Sequence, residues 1–324
     1  MSTIKDVAKA SGYSIATVSY ALTGHNKIPI ETQNKIKEIA KELGYTPNVY
    51  ARGLKNKGPK TIGVYLPGFR GPIHTTILSG ISKAIIDNGN EYKLIVSISR
   101  MGYDYIFDGL IDVAYIMSPV IPNEEVERIS KKCPLILFDK VVNKKNIYNT
   151  FVNNEGGVCN RVIDFYNKGS KRFVFISGSA MSSHNSERLN GFKKGIEKCG
   201  LRIENQYILD GIGFTEHHGY DVMKSFLDLN PEFDAVIGSN DELSIGAIQA
   251  MTEKNPNFVK SVRVSGFDNI DKGNYITPSL STISVDWYDY GIQVGNLAIE
   301  ILKGQKNKKY INGDSVLIDR ESGN

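Results

Sequence analysis

Over the first 45 residues, apolar positions recur at helical spacing. Ile4, Val7 and Ala8 fall at i, i+3 and i+4, one face of a helix. Thr3 can cap that helix, and Asp6 sits in its first turn, where the helix dipole favours negative charge. Ser11-Gly12 ends it, because glycine accepts the left-handed conformation that closes helices. Ser14 then caps a second pattern through Val18, Ala21 and Leu22, and a third runs through Ile36, Ile39, Ala40 and Leu43 to Gly44. Beyond "LKNKGPKT" (54–61), which reads as a linker, the period changes. "TIGVYLP", "YKLIVSI", "VAYIMSP", "PLILFDK", "RFVFISG", "AVIGSN" and "VRVSGFD" are apolar runs of strand length. The stretches near 73–88, 156–169, 186–200 and 241–255 read as helices. This alternation predicts parallel sheets built from right-handed β-α-β units. A small all-α head therefore precedes an α/β body, and 324 residues suit two or three domains.

Two short helices joined by a tight glycine turn form either a helix-turn-helix or an ordinary helical hairpin. Charge separates the two. Residues 1–60 hold ten Lys/Arg and four Asp/Glu, a net +6, so the remainder carries −2 of the whole-chain +4. A basic head on a slightly acidic body is the footprint of phosphate contacts. No apolar run reaches the roughly 18–20 residues of a membrane span. The N-terminal stretch lacks an apolar signal-peptide core, so a cytoplasmic, nucleoid-associated protein is expected, with no membrane partner. Cys133, Cys159 and Cys199 are far apart and lack metal-ligand spacing, which points to buried or incidental thiols. His217-His218 lack metal spacing, "NEGG" is not a phosphate loop, and no nucleophile stands in a motif. Neither an enzyme, a cofactor nor a metal site is expected.

"TIKDVAKASGYSIATVSYAL", then "ELGYTPNVYARGLKNK", then "TIGVYLP" resemble the start of the lactose/galactose-repressor family of bacterial transcription regulators. The likeness continues more loosely through "SERLNGF", "VIGSNDELSIGAIQAM" and "VSGFDN", and covers nearly the whole chain. The resemblance implies a helix-turn-helix domain over 1–46, a hinge helix and linker over 47–60, and a two-lobed effector-binding and dimerisation body over 61–324. The lobes, like those of periplasmic sugar-binding proteins, would be about 61–153 with 287–316, and about 154–286 with 317–324. The implied function is a sequence-specific repressor of sugar-utilisation genes, a homodimer on double-stranded operator DNA, relieved by a small sugar or sugar phosphate. The alternative is a corepressor-dependent regulator answering to a purine or a phosphorylated carrier protein. Asn296 and Glu300 stand where a docked phosphate would need basic residues, which favours the first.

On the same resemblance, the second helix lies in the major groove with Ile15, Ala16 and Tyr20 toward base edges. Thr17 and Ser19 meet phosphates, and Thr3, Ser14 and Asn48 join the interface. Ile15 and Ala16 can read only apolar features such as a thymine methyl. Tyr20 stands where the family often has Arg, His or Asn, and a core aromatic is the competing reading. In "TPNVYARGLKN" the implied hinge helix forms on DNA, and Leu54 wedges into the minor groove beside Arg52 and Lys55. Gly53, at about 1 kcal/mol relative to Ala, keeps so short a helix marginal. Pro29 replaces a usual capping Ser ahead of the third helix.

The implied effector residues are Asp139, Arg188, Phe214, Asn240, Asp268 and Trp287. Arg188, in "SERLNGF", offers a fork of donors to vicinal hydroxyls, and Phe214 is placed to stack on the ligand. Asp268 in a turn and Arg188 as a surface charge have plain structural readings beside the functional ones. In "PGFRGPIH", Gly68 and Gly71 replace side chains that contact ligand in relatives, so Phe69, Arg70 and His74 are expected to reshape the pocket. The link from "YKLIVSISR" to "GLIDVAYIMSP" is only about a dozen residues, short for a crossover helix. Either its helix shrinks to a turn or the local topology differs, which leaves Arg100 unassigned.

Overall fold

The computed structural model describes residues 2–22, 27–45, 60–69, 71–89, 91–203, 205–305 and 311–324. Asn48, Arg52, Leu54, Lys55 and Arg70 lie outside the described residues. The chain divides into two units, 1–58 and 59–324.

The first unit holds α1 (Ile4–Ser11), α2 (Ile15–Leu22) and α3 (Ile30–Glu42). Their apolar stripes meet in one core of Val7, Ala8, Val18, Ala21, Ile36 and Ala40. Gly12, at φ 75°, turns the chain out of α1 in the left-handed region. Pro29 occupies the N-cap of α3 and provides no side-chain bond. The buried Gln33 reaches back instead, its amide donating to the Ile28 carbonyl at 2.9 Å.

The second unit contains two six-stranded sheets. The first combines β1 (Lys60–Leu66), β2 (Tyr92–Ile98), β3 (Val113–Ile116), β4 (Leu135–Leu137), β5 (Ile147–Val152) and β11 (Ile311–Gly313). Their order is β11-β5-β4-β3-β1-β2, parallel throughout. The second combines β6 (Phe173–Ser177), β7 (Ile208–Asp210), β8 (Ala235–Gly238), β9 (Arg263–Phe267), β10 (Ser281–Val285) and β12 (Ser315–Ile318). Its order is β12-β10-β9-β8-β6-β7, with only β12 antiparallel. Helices α4 (Pro72–Asp87), α5 (Asp104–Phe107), α6 (Asn123–Ser130) and α11 (Trp287–Leu302) serve the first sheet. Helices α7 (Asn154–Asn167), α8 (Ser183–Lys198), α9 (Glu216–Leu227) and α10 (Asp241–Lys254) serve the second.

The chain passes between the lobes after β5, after β10 and after β11. α11 returns to the first lobe, where it packs so closely on α4 that a Cβ at Gly80 would fall 2.1 Å from the Tyr288 carbonyl oxygen. The last passage falls at Asp314, because Ser315 and Val316 already pair with Val285 and Ser284. The short β2–β3 link keeps the parallel topology and reduces its helix to the single turn of α5. Tyr103, Ile106 and Ile111 cover Tyr65 there, doing the work of a longer helix. Cys133 and Cys159 are buried and Cys199 is half-buried. Burial pushes the Cys133 thiol up to about 12, which leaves it protonated and unreactive.

Candidate DNA interface and effector cleft

In the head, the second helix begins on a built cap. Ser14 Oγ accepts from the Thr17 amide at 3.1 Å and lies 2.9 Å from Thr17 Oγ1. Val18 and Ala21 bury the opposite face, so Ile15, Ala16 and Tyr20 are left on the outside, with Ile15 47% exposed. Tyr20 is therefore not the core aromatic of the competing reading. Thr17 and Ser19 are half-buried beside them. Thr3 is exposed, and its amide and hydroxyl both donate to the Asp6 carboxylate at 2.8 Å. That pairing holds Asp6 below the usual carboxylate range. The first helix is thus secured by Asp6 reaching back, rather than by a Thr3 cap bond alone.

In the body, the end of β4 meets the start of α8 from the other lobe. Asp139 Oδ1 accepts from Ser183 Oγ and from the His184 amide, each at 2.9 Å. The Phe138 ring stands edge-on to His184 at 4.5 Å and to Trp287 at 5.9 Å. These contacts join the carboxyl end of β4 in the first sheet to the helix that follows β6 in the second, and the carboxyl ends of parallel strands are where α/β folds hold small ligands. Ser182 caps α8 through the Asn185 amide, so the helix N-terminus points at Asp139 with its favourable dipole.

Arg188, one turn further along α8, is only 4% exposed. Its Nε donates to Asn154 Oδ1 at 2.8 Å, Nη1 to the Ser239 carbonyl at 2.7 Å, and Nη2 to Asp268 Oδ1 at 3.3 Å. Its guanidinium lies 3.7 Å from the centre of the Phe267 ring. Asp268 is 3% exposed and sits at φ 111°, a strained conformation for any residue but glycine. Burial raises its carboxyl to about 7, against the pull of Arg188. Asp241 beside it is fully enclosed, accepts from Thr282 Oγ1 at 2.5 Å and the Ile270 amide at 2.8 Å, and is likewise raised by burial. His184 is buried, and burial pulls its imidazole down, toward the neutral form.

The other expected residues fall in different ways. Asn240 spends its side chain on the fold: Oδ1 caps α10 through the Leu243 amide and Nδ2 donates to the Phe214 carbonyl, each at 3.0 Å. It serves Phe214 rather than pointing free into the cleft. Phe214 is half-buried against Gly178, where a Cβ would lie 2.2 Å from its ring. Trp287 is 5% exposed and lies behind Phe138, not on the open surface of the cleft. Phe69 is exposed and His74 half-buried around the turn into α4. Asn154, Glu187, Ser239, His184 and Asp241 were not singled out from sequence. Arg188 pointed near His184 and Glu187, and Asn240 near Ser239 and Asp241, while no predicted residue lies near Asn154 in the chain, whose amide donates to Glu187 Oε2 at 2.8 Å.

Comparison with known proteins sets these two constellations in a family. Residues 3–48 match the profile described as "Bacterial regulatory proteins, lacI family", and residues 162–322 match "Periplasmic binding protein-like domain". The probable HTH-type transcriptional repressor ExuR of Bacillus subtilis is 30% identical over 289 residues, covering 87% of this chain and 86% of that protein. The chain belongs to the lacI family of bacterial regulatory proteins. It is a DNA-binding transcription regulator, not an enzyme. A sugar-binding transcriptional regulator of this family from Enterococcus faecalis superposes with a TM-score of 0.74 at 27% identity, covering 83% of this chain and all of that one. The lac repressor dimer bound to operator and the anti-inducer ONPF superposes at 0.82 with 21% identity, covering 99% and 98% of the two chains. That likeness extends the shared fold from head to last strand. Among the described residues, no helix is long and apolar enough to cross a membrane.

Proposed function

We propose that this lacI-family protein is a cytoplasmic homodimeric repressor that grips a pseudo-palindromic operator and lets go when a small sugar enters the cleft. The observation that carries the reading is the buried Arg188–Asp268 pair, only 3.3 Å apart, at the carboxyl ends of the second sheet. A guanidinium fork and a carboxylate offer both donors and acceptors, which is what vicinal hydroxyls require. Asp139 reaches the same crevice from the other lobe. The sugar-binding description of the Enterococcus faecalis relative supports the same class. In the head, Ile15, Ala16 and Tyr20 read bases, Thr3, Ser14, Thr17, Ser19 and Asn48 meet the backbone, and Leu54 with Arg52 and Lys55 forms the minor-groove wedge.

The competing effector class is a purine. A thermal-shift screen of sugars and nucleobases separates the two, because a ligand that binds only the folded state raises its melting temperature. Stabilisation by a sugar and by no nucleobase is the expected result. Stabilisation by a nucleobase alone would replace the sugar reading with a corepressor one.

A further inference from the structure

The second sheet has an open corner at the end away from the cleft. Its edge strand β7 has only three residues, which pair with Phe175, Ile176 and Ser177. The entry residues of β6, Phe173 and Val174, therefore have β8 on one side and, among the described residues, no strand on the other. Arg202, Ile203 and Tyr207, from the segment between α8 and β7, line this corner, and a cavity of about 90 Å³ remains there. Its inner wall is apolar and fixed. Phe173, Phe192 and Ile196 are buried, and the Phe192 ring is held 5.1 Å from Phe175. Tyr207 is fixed as well, edge-on to Phe226 at 5.6 Å, with its hydroxyl donating to the Glu232 carbonyl at 3.2 Å.

The rim of the cavity is cationic, with Lys171, Arg172 and Arg202 all exposed there. Arg172 is already matched, since its guanidinium meets Glu232 and Asp234. The Lys171 ammonium instead lies 3.5 Å from the centre of the Tyr166 ring. Among the described residues, neither Lys171 nor Arg202 pairs with a carboxylate. Two unmatched cations beside an apolar cavity set the chemistry of an occupant: an anionic head at the rim and a hydrocarbon body inside. A cavity of about 150 Å³ takes up benzene, so this smaller one, open at its rim, has room for a chain of about four to six carbons. Ile196 lies eight residues beyond Arg188 on α8, about 12 Å along the helix, so the corner is separate from the effector cleft.

We propose that this corner is a second ligand site, which takes a short-chain monocarboxylate. The carboxylate sits between Lys171 and Arg202, and the chain lies against Phe173, Phe192 and Ile196. Covering the apolar wall supplies most of the affinity. The two cations are solvated and add a smaller share, so a Kd of roughly millimolar order is expected.

Ile196 and Ile203 both line the cavity, which gives a local readout. The test is a titration of the full-length protein, labelled on its isoleucine methyl groups and followed by NMR, with hexanoate, 3-methylbutanoate, their amides and acetate. The Ile196 and Ile203 signals, assigned with Ile196→Val and Ile203→Val, should move and saturate with at least one of the two longer acids. The matching amide should bind about fivefold more weakly or worse, and acetate, which has no chain to bury, should not saturate over the same range. Lys171→Gln combined with Arg202→Gln, both at exposed positions, should weaken the acid by a similar factor while the other isoleucine signals keep their places, which separates a lost contact from a lost fold. Three results would overturn the site: no saturating shift of Ile196 and Ile203 with either acid up to about 20 mM, an amide that binds as tightly as its acid, or saturating shifts only at isoleucines elsewhere.

Discussion

Replacing Arg188 with alanine removes the central group of the cleft. Three acceptors lose their donor at once: Asn154 Oδ1, the Ser239 carbonyl and Asp268 Oδ1. All lie in a region where water does not replace the lost bonds freely. Breaking a buried ion pair by removing one partner costs about 3–5 kcal/mol. Asp268 can relieve part of that cost by taking up a proton, because burial already raises it to about 7 and Arg188 is what holds it down. The sign follows from where the proton sits. A carboxyl raised in the folded state supports folding while protonated, and that support fades as pH climbs from 3.8 through the folded value. In the parent protein the loss is complete soon above pH 7. In Arg188→Ala the folded value moves higher, so the loss continues, at up to about 1.4 kcal/mol per pH unit. The variant should therefore melt roughly 10 °C below the parent at pH 8, with a smaller gap at pH 6. Thermal unfolding of both proteins at the two pH values, with effector affinity measured alongside, checks this. A weakening of effector binding by roughly ten- to a hundred-fold is expected, with operator binding retained. Equal melting temperatures at both pH values would refute the buried-pair reasoning, and unchanged effector affinity would remove Arg188 from the site.

Three further expectations concern other contacts. Asp139→Ala deletes the carboxylate that joins Ser183 and His184 across the lobes, a loss of about 1–3 kcal/mol. Small-angle scattering should show a larger radius of gyration for the variant, and an unchanged profile would mean the lobes are held by their other contacts. Tyr20→Ala should cut discrimination between operator and scrambled duplex by roughly tenfold or more while the salt dependence of binding stays the same. A uniform loss on both duplexes would place Tyr20 on the backbone instead. Leu54→Ala should weaken operator binding and spare scrambled DNA, because a wedge acts only where the duplex bends. Titration on both duplexes decides it, and equal losses speak against the wedge.

How far the sequence revealed this molecule depended on the range of the interactions involved. The three head helices announce themselves through local features: a 3.6-residue apolar period, Gly12 and Ser14. Seven of the described strands were visible as apolar runs, but β5, β7, β10, β11 and β12 were not singled out, since "IYNTFV", "ILD", "STISV" and "ING" carry few consecutive apolar residues and "SVLI" is only four residues long. The shrunken α5 was foreseen as one of two outcomes from chain length alone. The site was legible only at its motif residues. Arg188 and Asp268 came from matching segments, while Asn154 and Ser239, which hold Arg188, are 34 and 51 residues away in the chain. Asn240 shows the opposite failure. A polar residue after a strand looks like a ligand contact, yet the same residue type is the preferred cap for the helix that follows, and here the cap takes the side chain. Asp139 was expected to face ligand, and its hydrogen bonds to Ser183 and His184 required knowing that two strand ends 40 residues apart face each other.

The central claim is that one chain couples operator DNA to a small sugar. Its most direct test is fluorescence anisotropy on a duplex selected by the full-length protein from random DNA, first across a salt series and then with the stabilising sugar added. The account predicts a pseudo-palindromic duplex bound by two subunits, an affinity that falls steeply as salt rises, and release when the sugar is present. Selection of no preferred sequence, or an operator complex that no small molecule loosens or tightens, would contradict it.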